Sequence, residues 1–190
     1  MNKDKTKKIA GIGIFTAIVV VLQLLGSFIK FGPFSISLVL IPIVVGAAIY
    51  GPFAGLWLGF VFGFVVLVSG DAAPFLAFNV FGTILTVILK GSLAGLASGI
   101  VFKTFKGNKL IASILSSLVC PIVNTGVFLI GCMIFFLPLL DTWAKGLGFN
   151  DVYGYMIVGL VGVNFIFELL TNAILSPVIV KIINVEHYIH

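Results

Sequence analysis

The sequence predicts an all-α integral membrane protein, a bundle of six transmembrane helices with its N- and C-termini in the cytoplasm. Of its 190 residues, 61% are hydrophobic and only 9% are charged, whereas soluble domains average about 25% charged residues. The apolar runs are also long enough for a bilayer, which needs about 20 residues per helix. In such a protein the net charge of +5 does not indicate a nucleic-acid partner. We expect a single transmembrane domain over residues 1–190.

The predicted helices alternate with short polar or glycine-rich breaks. The second contains Pro42, which removes a backbone hydrogen bond and predicts a short or tilted helix. Only Gly51 and Pro52 separate it from the third, so these two are expected to form a tight hairpin. The last connection, residues 138–152, is either a lid over a site or a solvated loop. The six helices are predicted at about residues 9–28, 35–50, 52–69, 75–102, 110–137 and 153–183.

The orientation is predicted from the lysines, which provide all of the basic residues. Cytoplasmic loops of membrane proteins carry an excess of basic residues. With the N-terminus inside, the inner segments hold Lys3, Lys5, Lys7, Lys8, Lys103, Lys106, Lys109 and Lys181, and the outer segments hold Lys30 and Lys145. Lys90 lies within a span. Both termini are therefore expected in the cytoplasm.

Three of the predicted helices carry ionisable or amide side chains at a similar depth. Lys90 is thirteen residues from Lys103, and Glu168 is thirteen residues from Lys181. Asn124 is fifteen residues from Lys109. A helix rises about 1.5 Å per residue, so all three are expected about 20 Å above the inner lysines, near the middle of the membrane.

Further polar residues extend these positions into stripes. On the fourth predicted helix, Asn79, Thr83 and Thr86 share one face with Lys90, because their spacings are four, three and four residues. On the sixth, Asn164, Glu168, Thr171 and Asn172 form a similar stripe. Charged residues in a span are costly and usually face a partner, a cavity or a ligand.

Two interpretations of these stripes remain open. In the first, Lys90 and Glu168 form a buried ion pair and the amides lock the helices together. In the second, the same groups line a pocket, open to the outside, that binds a small polar ligand. Trp57 on the third helix could stack on a ligand ring, although a packing role is the simpler explanation.

Small residues indicate close helix packing. Gly55, Gly59 and Gly63 recur every fourth residue, as do Gly91, Gly95 and Gly99. Such faces let helix backbones approach closely, and we expect this contact to lie within the protein. Gly13 and Ala17 form a similar pair on the first helix, which serves either internal packing or the docking of another membrane subunit.

The chain resembles the substrate-binding S component of energy-coupling factor (ECF) vitamin transporters. The resemblance rests on six predicted spans, inner termini, and Gly13 with Ala17, where the family usually has two alanines. It also rests on the hairpin segment 41–55 and on Asn79 followed by Gly82 and Thr83. It extends over nearly the whole chain.

The resemblance implies a multi-pass protein in the plasma membrane of a prokaryote. It implies a vitamin-binding subunit that captures its ligand from outside and works with a transmembrane coupling (T) subunit and two ATPase subunits. Gly13 and Ala17 would then dock the coupling subunit. The substrate-binding residues expected from the stripes are Asn79, Thr83, Lys90, Asn124, Asn164, Glu168 and Trp57.

Pantothenate is the favoured ligand, and riboflavin is next. A lysine suits an anionic ligand, and amides and hydroxyls suit a ligand with amide and hydroxyl groups. Pantothenate has a carboxylate, an amide and hydroxyls but no aromatic ring. Riboflavin would need stacking aromatic side chains and a larger cavity.

Other functions stay open. A self-sufficient secondary transporter or channel could use Lys90 and Glu168 as an ion relay, and a membrane scaffold would need the glycine faces alone. The sequence contains no nucleotide-binding motif and no nucleophile and base set, so we expect no enzyme activity and no cofactor. Cys120 and Cys132 lie in one apolar span and do not indicate a metal site or a disulfide framework.

Overall fold

The computed structural model describes residues 3–28, 30–31, 34–35, 38–105 and 107–189. Nearly all of them are helical, and a short antiparallel pair of strands joins Lys30 to Ser35 and Phe31 to Phe34. The elements are α1 Lys3–Phe28, β1 Lys30–Phe31, β2 Phe34–Ser35, α2 Leu40–Tyr50, α3 Pro52–Val68, α4 Ala73–Phe78, α5 Val80–Thr104, α6 Lys109–Phe135, α7 Leu137–Gly146, α8 Val152–Gly154, the π-helical segment Tyr155–Gly162, and α9 Val163–Ile189.

In this described part of the chain, four helical segments are long and apolar enough to cross a membrane. They are Lys5–Ser27, Val80–Thr104, Lys109–Phe135 and Val152–Pro177. The apolar helices α2 and α3 are shorter, at 11 and 17 residues. Many large apolar side chains point outward, among them Phe53 at 83% exposure and Ile174 at 72%. An apolar exterior is what lipid contact requires, so the fold is that of a helical membrane protein.

The predicted fourth helix, 75–102, is two helices in the structure. Asn79 is extended (φ −151°, ψ 100°), which ends α4 and begins α5. Its side-chain oxygen Oδ1 accepts a hydrogen bond from the Gly82 backbone N–H at 2.9 Å. Asparagine at this position caps the first turn of a helix, where backbone N–H groups lack helical partners. The break therefore has a local cause in the sequence.

The predicted connection 138–152 contains an ordered helix, α7. Pro138 lies in its first turn, where proline is well tolerated. Leu140 and Ala144 are buried, at 0% and 1% exposure. The segment is thus packed onto the bundle, and the alternative of a solvated loop does not describe residues 137–146.

The predicted last helix, 153–183, also differs. A single turn, α8, leads into the π-helical segment, and α9 follows. Asp151 caps α8 by accepting a hydrogen bond from the Gly154 backbone N–H at 2.6 Å. In the π-helical segment, a Cβ atom at Gly159 would lie 2.6 Å from the ring of the buried Tyr155. The small residue there makes room for the tyrosine ring.

The glycine faces of α3 and α5 pack backbone against backbone, which confirms that prediction. A Cβ atom at Gly59 would collide with the carbonyl of Gly91, and one at Gly55 would collide with the carbonyl of Gly95. At Gly63 a Cβ would lie 2.7 Å from the Val87 carbonyl oxygen. Side chains would hold the two helices apart, so glycine is required for this contact.

Two buried clusters lie at different levels of the bundle. The larger joins α1, α2, α3, α5 and α6 around Val19, Leu40, Ile43, Leu58 and Phe62. The smaller contains Phe75, Cys132, Phe136, Leu140 and Tyr155. We call the end where α5 stops at Thr104 and α6 starts at Lys109 the lysine end. The smaller cluster lies at the opposite end, which we call the aromatic end.

Candidate functional site

A polar cavity of about 90 Å³ lies inside the bundle. It is bounded by α1, α3, the turn after α3, α4, α5, α6, the π-helical segment and α9. Its polar lining consists of Gln23, Asp71, Lys90, Asn124, Thr125, Asn164 and Glu168. The structure therefore brings together Lys90, Asn124, Asn164 and Glu168, the four residues placed at or near one depth by their distances along the chain.

The Lys90 side chain enters the cavity between two aromatic rings. Its ammonium nitrogen is 5.1 Å from the ring centroid of Phe128 and 5.5 Å from that of Phe62. The negative face of an aromatic ring attracts a cation at this range, with a free energy of about 0.5–2 kcal/mol. The two rings thus hold a positive charge at the cavity wall without removing its capacity to donate hydrogen bonds.

Glu168 and Asn164 are linked on α9. The Asn164 amide Nδ2 donates a hydrogen bond to Glu168 Oε1 at 3.0 Å, and the two residues are one helical turn apart. Glu168 is only 3% exposed, while Asn164 is partly exposed. A buried carboxylate needs hydrogen-bond donors or an opposite charge, and Asn164 supplies one such donor.

Asn124 brings an available acceptor to the same cavity. The residue is 5% exposed, and its side-chain oxygen Oδ1 has no hydrogen-bond partner among the described residues. A buried acceptor without a partner costs about 1–3 kcal/mol. A hydrogen-bond donor from a bound molecule would remove that cost.

Asp71 and Gln23 were not among the residues predicted for the site. Asp71 Oδ2 accepts hydrogen bonds from Gln23 Nε2 at 2.8 Å, from Ser27 Oγ at 2.6 Å and from Ser69 Oγ at 3.2 Å. These contacts tie α1 to the turn between α3 and α4. The only signal in the sequence was an acidic residue between two apolar runs and a single glutamine within the first helix.

Four phenylalanines form much of the apolar wall of the cavity: Phe62, Phe75, Phe128 and Phe165. Phe75 also packs edge-on against Phe136 and Trp143, with centroid distances of 5.0 and 5.6 Å. Trp143 belongs to α7, so Phe75 links the wall of the cavity to this helix.

Asn79 and Thr83 do not line the cavity. Asn79 caps α5, and the Thr83 hydroxyl Oγ1 donates to the Asn79 backbone carbonyl at 2.7 Å. Thr86 packs against Gly131 of α6. These side chains support the start of α5 and its contact with α6, while Lys90 on the same helix reaches the cavity.

Trp57, Gly13 and Ala17 lie on the outside of the bundle. Trp57 is 47% exposed, and its Nε1–H donates to Thr16 Oγ1 on α1 at 3.2 Å. Gly13 and Ala17 are exposed, and a Cβ atom at Gly13 would have nothing within 4 Å. Trp57 therefore does not contact the cavity, and the small face of α1 is unobstructed within the described chain.

No group of three or more histidine, cysteine, aspartate or glutamate side chains among the described residues could hold a metal ion. Both cysteines are free thiols with 0% exposure. The chemistry available in the cavity consists of hydrogen bonding, charge pairing and contact with aromatic rings. These are the means by which a protein binds a small polar molecule.

A comparison with known protein families agrees with this description. The family model described as "ECF transporter, substrate-specific component" matches residues 7–180. Neither the curated proteins nor the solved structures give a significant match to the chain. The family match covers nearly the whole sequence and includes every element that lines the cavity. The chain therefore belongs to the family of substrate-specific components of ECF transporters.

Proposed function

We propose that this protein captures a small water-soluble vitamin from outside the cell and holds it in the cavity around Lys90. The observation that carries the proposal is the unpartnered Asn124 oxygen in one cavity with a lysine and two carboxylates. The protein acts as a transport subunit of an importer and not as an enzyme. Pantothenate is the favoured ligand, and riboflavin is second.

The charges of the cavity suit a ligand with several functional groups. Lys90 offers an ammonium for a carboxylate, and such charge-assisted hydrogen bonds are the stronger ones. Asp71 and Glu168 offer carboxylate oxygens that accept from hydroxyl groups, and Asn124 Oδ1 accepts from an amide or hydroxyl. Pantothenate contains a carboxylate, an amide and hydroxyls. Its aliphatic portion would contact the phenylalanine rings.

The volume of the cavity supports a compact ligand. A single water requires about 10–15 Å³ of comparable space. A cavity of about 90 Å³ therefore has room for a few groups of that size, as in a compact ligand. Riboflavin has a large fused ring system. The aromatic rings Phe62, Phe75 and Phe128 could stack on it, but only after the walls move apart. For this reason riboflavin is the second choice.

The orientation in the membrane follows from the lysines. We propose six spans with both termini in the cytoplasm of a prokaryotic cell, so that the lysine end faces inward. Lys103 and Lys109 lie at that end, while Asp71 and the aromatic cluster lie toward the other. An excess of lysine in the inner segments favours this arrangement. The cavity then extends from the middle of the membrane, at Lys90, toward the exterior, at Asp71.

Energy for uptake would come from partner proteins. We propose that a transmembrane coupling subunit docks on α1 through Gly13 and Ala17, and that two ATPase subunits complete the importer. The open space at Gly13 supports this assignment, because small residues allow a partner helix to approach closely. Membership of the ECF family supports the kind of partner, a coupling subunit with ATPase subunits.

A binding experiment tests the proposal. The purified protein in detergent would be titrated with pantothenate, riboflavin and other vitamins by isothermal calorimetry, and native mass spectrometry would identify any ligand that copurifies. We expect Lys90→Ala to weaken pantothenate binding at least about tenfold, since a hydrogen bond to a charged group is worth about 1.5–3 kcal/mol. Lys103→Ala is the matched control, because Lys103 is exposed at the lysine end.

The results separate the possible functions. Equal pantothenate affinity in wild type and Lys90→Ala would refute the charge-pairing argument. Binding of a different vitamin would keep the site and change its ligand. Ion-driven transport by the isolated chain in liposomes would instead support a relay between Lys90 and Glu168.

A further inference from the structure

Polar side chains continue below the cavity, toward the lysine end, between α6 and α9. On α6 they are Ser113 and Ser117, both 0% exposed. On α9 they are Asn172 and Ser176, at 0% and 2% exposure. We refer to these four residues as the inner polar seam. None of them lines the cavity described above.

The two halves of the seam face each other. Ser117 is seven residues before Asn124 and Ser113 is eleven, so all three project from one face of α6. Asn172 is one turn beyond Glu168, on the face of α9 that carries Glu168. Asn124 and Glu168 meet at the cavity, and α6 packs against α9. We therefore expect the residues below them on the same faces to lie along the contact between α6 and α9.

The seam contains buried oxygens that nothing in the described chain satisfies. Ser113 Oγ, Ser117 Oγ and Asn172 Oδ1 have no hydrogen-bond partner there, and Asn124 Oδ1 continues this set into the cavity. The Asn172 amide Nδ2 is bonded to the Glu168 carbonyl at 2.8 Å, which fixes the orientation of its oxygen. The α5–α6 interface differs, because Ser116 and Ser98 bond each other at 2.7 Å.

We propose that the inner polar seam binds a chain of internal water molecules that extends from Ser117 and Asn172 toward Ser113. Buried polar groups are almost always satisfied by protein or by ordered water, and a buried water typically makes about three hydrogen bonds. Hydroxyls both donate and accept, and amide oxygens accept, so neutral water fits every group in the seam. Its binding there is independent of the identity of the transported ligand.

Cys120 provides a built-in reporter. It lies three residues after Ser117 and four before Asn124, on the same face of α6, and is 0% exposed. X-ray pulses convert bound water to hydroxyl radicals, which oxidise thiols beside that water. We expect Cys120 to be oxidised several-fold faster than Cys132, an equally buried thiol (0% exposed) in the smaller cluster at the aromatic end. Oxidation of Cys120 no faster than that of Cys132 would overturn the proposal.

A variant comparison gives an independent reading. Ser117→Val replaces the hydroxyl with a methyl group and should slow Cys120 oxidation, whereas Ser98→Ala, at the α5–α6 interface, should not. Ser117→Ala gives the second measurement. Removing a water-bonded hydroxyl should lower the melting temperature of the protein, whereas removing a dry and unpartnered hydroxyl should raise it. A higher melting temperature for Ser117→Ala would contradict the proposed water chain.

Discussion

The backbone contact between α3 and α5 predicts how strongly alanine would destabilise the protein at two of its glycines, Gly63 and Gly59. Alanine at Gly63 would bring Cβ to 2.7 Å from the Val87 carbonyl oxygen, whereas ordinary contact begins at 3.4 Å. The helices would have to separate by the difference, about 0.7 Å. A gap of this size forfeits about a quarter to a half of the attraction between each pair of affected atoms. Overfilling a packed interior costs about 1–3 kcal/mol.

We therefore expect Gly63→Ala to lose about 2 kcal/mol of stability. Gly59→Ala should lose more, because its Cβ would fall on the backbone carbonyl of Gly91, which cannot rotate away. Gly13→Ala is the matched control, since nothing lies within 4 Å of that position. There the loss of glycine from a helix should stabilise the protein by about 0.5–1 kcal/mol.

The assay uses the two buried cysteines. Cys120 and Cys132 are both 0% exposed, so a thiol-reactive fluorescent dye reports their exposure as the detergent-solubilised protein is heated. The expected order of melting temperature is Gly13→Ala, wild type, Gly63→Ala and Gly59→Ala, from highest to lowest. Equal melting of Gly59→Ala and Gly13→Ala would refute backbone contact between α3 and α5.

Three further changes separate structural from ligand-binding roles. Asp71→Asn removes the negative charge that accepts a hydrogen bond from Gln23. The ligand affinity measured by calorimetry should fall about fivefold, as expected for the loss of about 1 kcal/mol. Unchanged affinity would exclude Asp71 from the site. Asn79→Ala should lower the free energy of unfolding by about 1 kcal/mol through the lost helix cap, without changing the ligand dissociation constant. Asn124→Ala should weaken ligand binding. Weaker binding in Asn79→Ala with unchanged binding in Asn124→Ala would place the ligand at Asn79. Trp57→Phe should leave ligand affinity unchanged, and a loss of affinity would show that the tryptophan contacts ligand.

The depth of the polar residues could be predicted from counting along the chain. Lys90, Asn124 and Glu168 lie on long helices, and a constant rise per residue places them at one level. The same counting failed to separate Asn79 and Thr83 from Lys90. For Asn79, counting assumed one continuous helix, whereas the chain turns there between α4 and α5. For Thr83, counting could not show that the face of α5 above Lys90 packs against α6.

Asp71 and Gln23 could not be placed from the sequence. Their hydrogen bond joins residues 48 positions apart, and the turn that carries Asp71 has no periodic pattern. A single glutamine in an apolar helix gives no stripe from which its facing partner could be inferred. The α7 helix was missed for a related reason. Its polar residues suggested a loop, and Leu140 and Ala144 become buried only when the bundle is folded.

The glycine contact also has a mechanical consequence. Because α3 and α5 touch through their backbones, neither can slide or tilt without carrying the other. Lys90 belongs to α5, and Trp57 belongs to α3. The Trp57 side chain donates a hydrogen bond to Thr16, which lies between Gly13 and Ala17 on α1. A displacement of α5 by a molecule bound at Lys90 would therefore also move α3 and, through the Trp57 hydrogen bond, reach α1 beside Gly13 and Ala17.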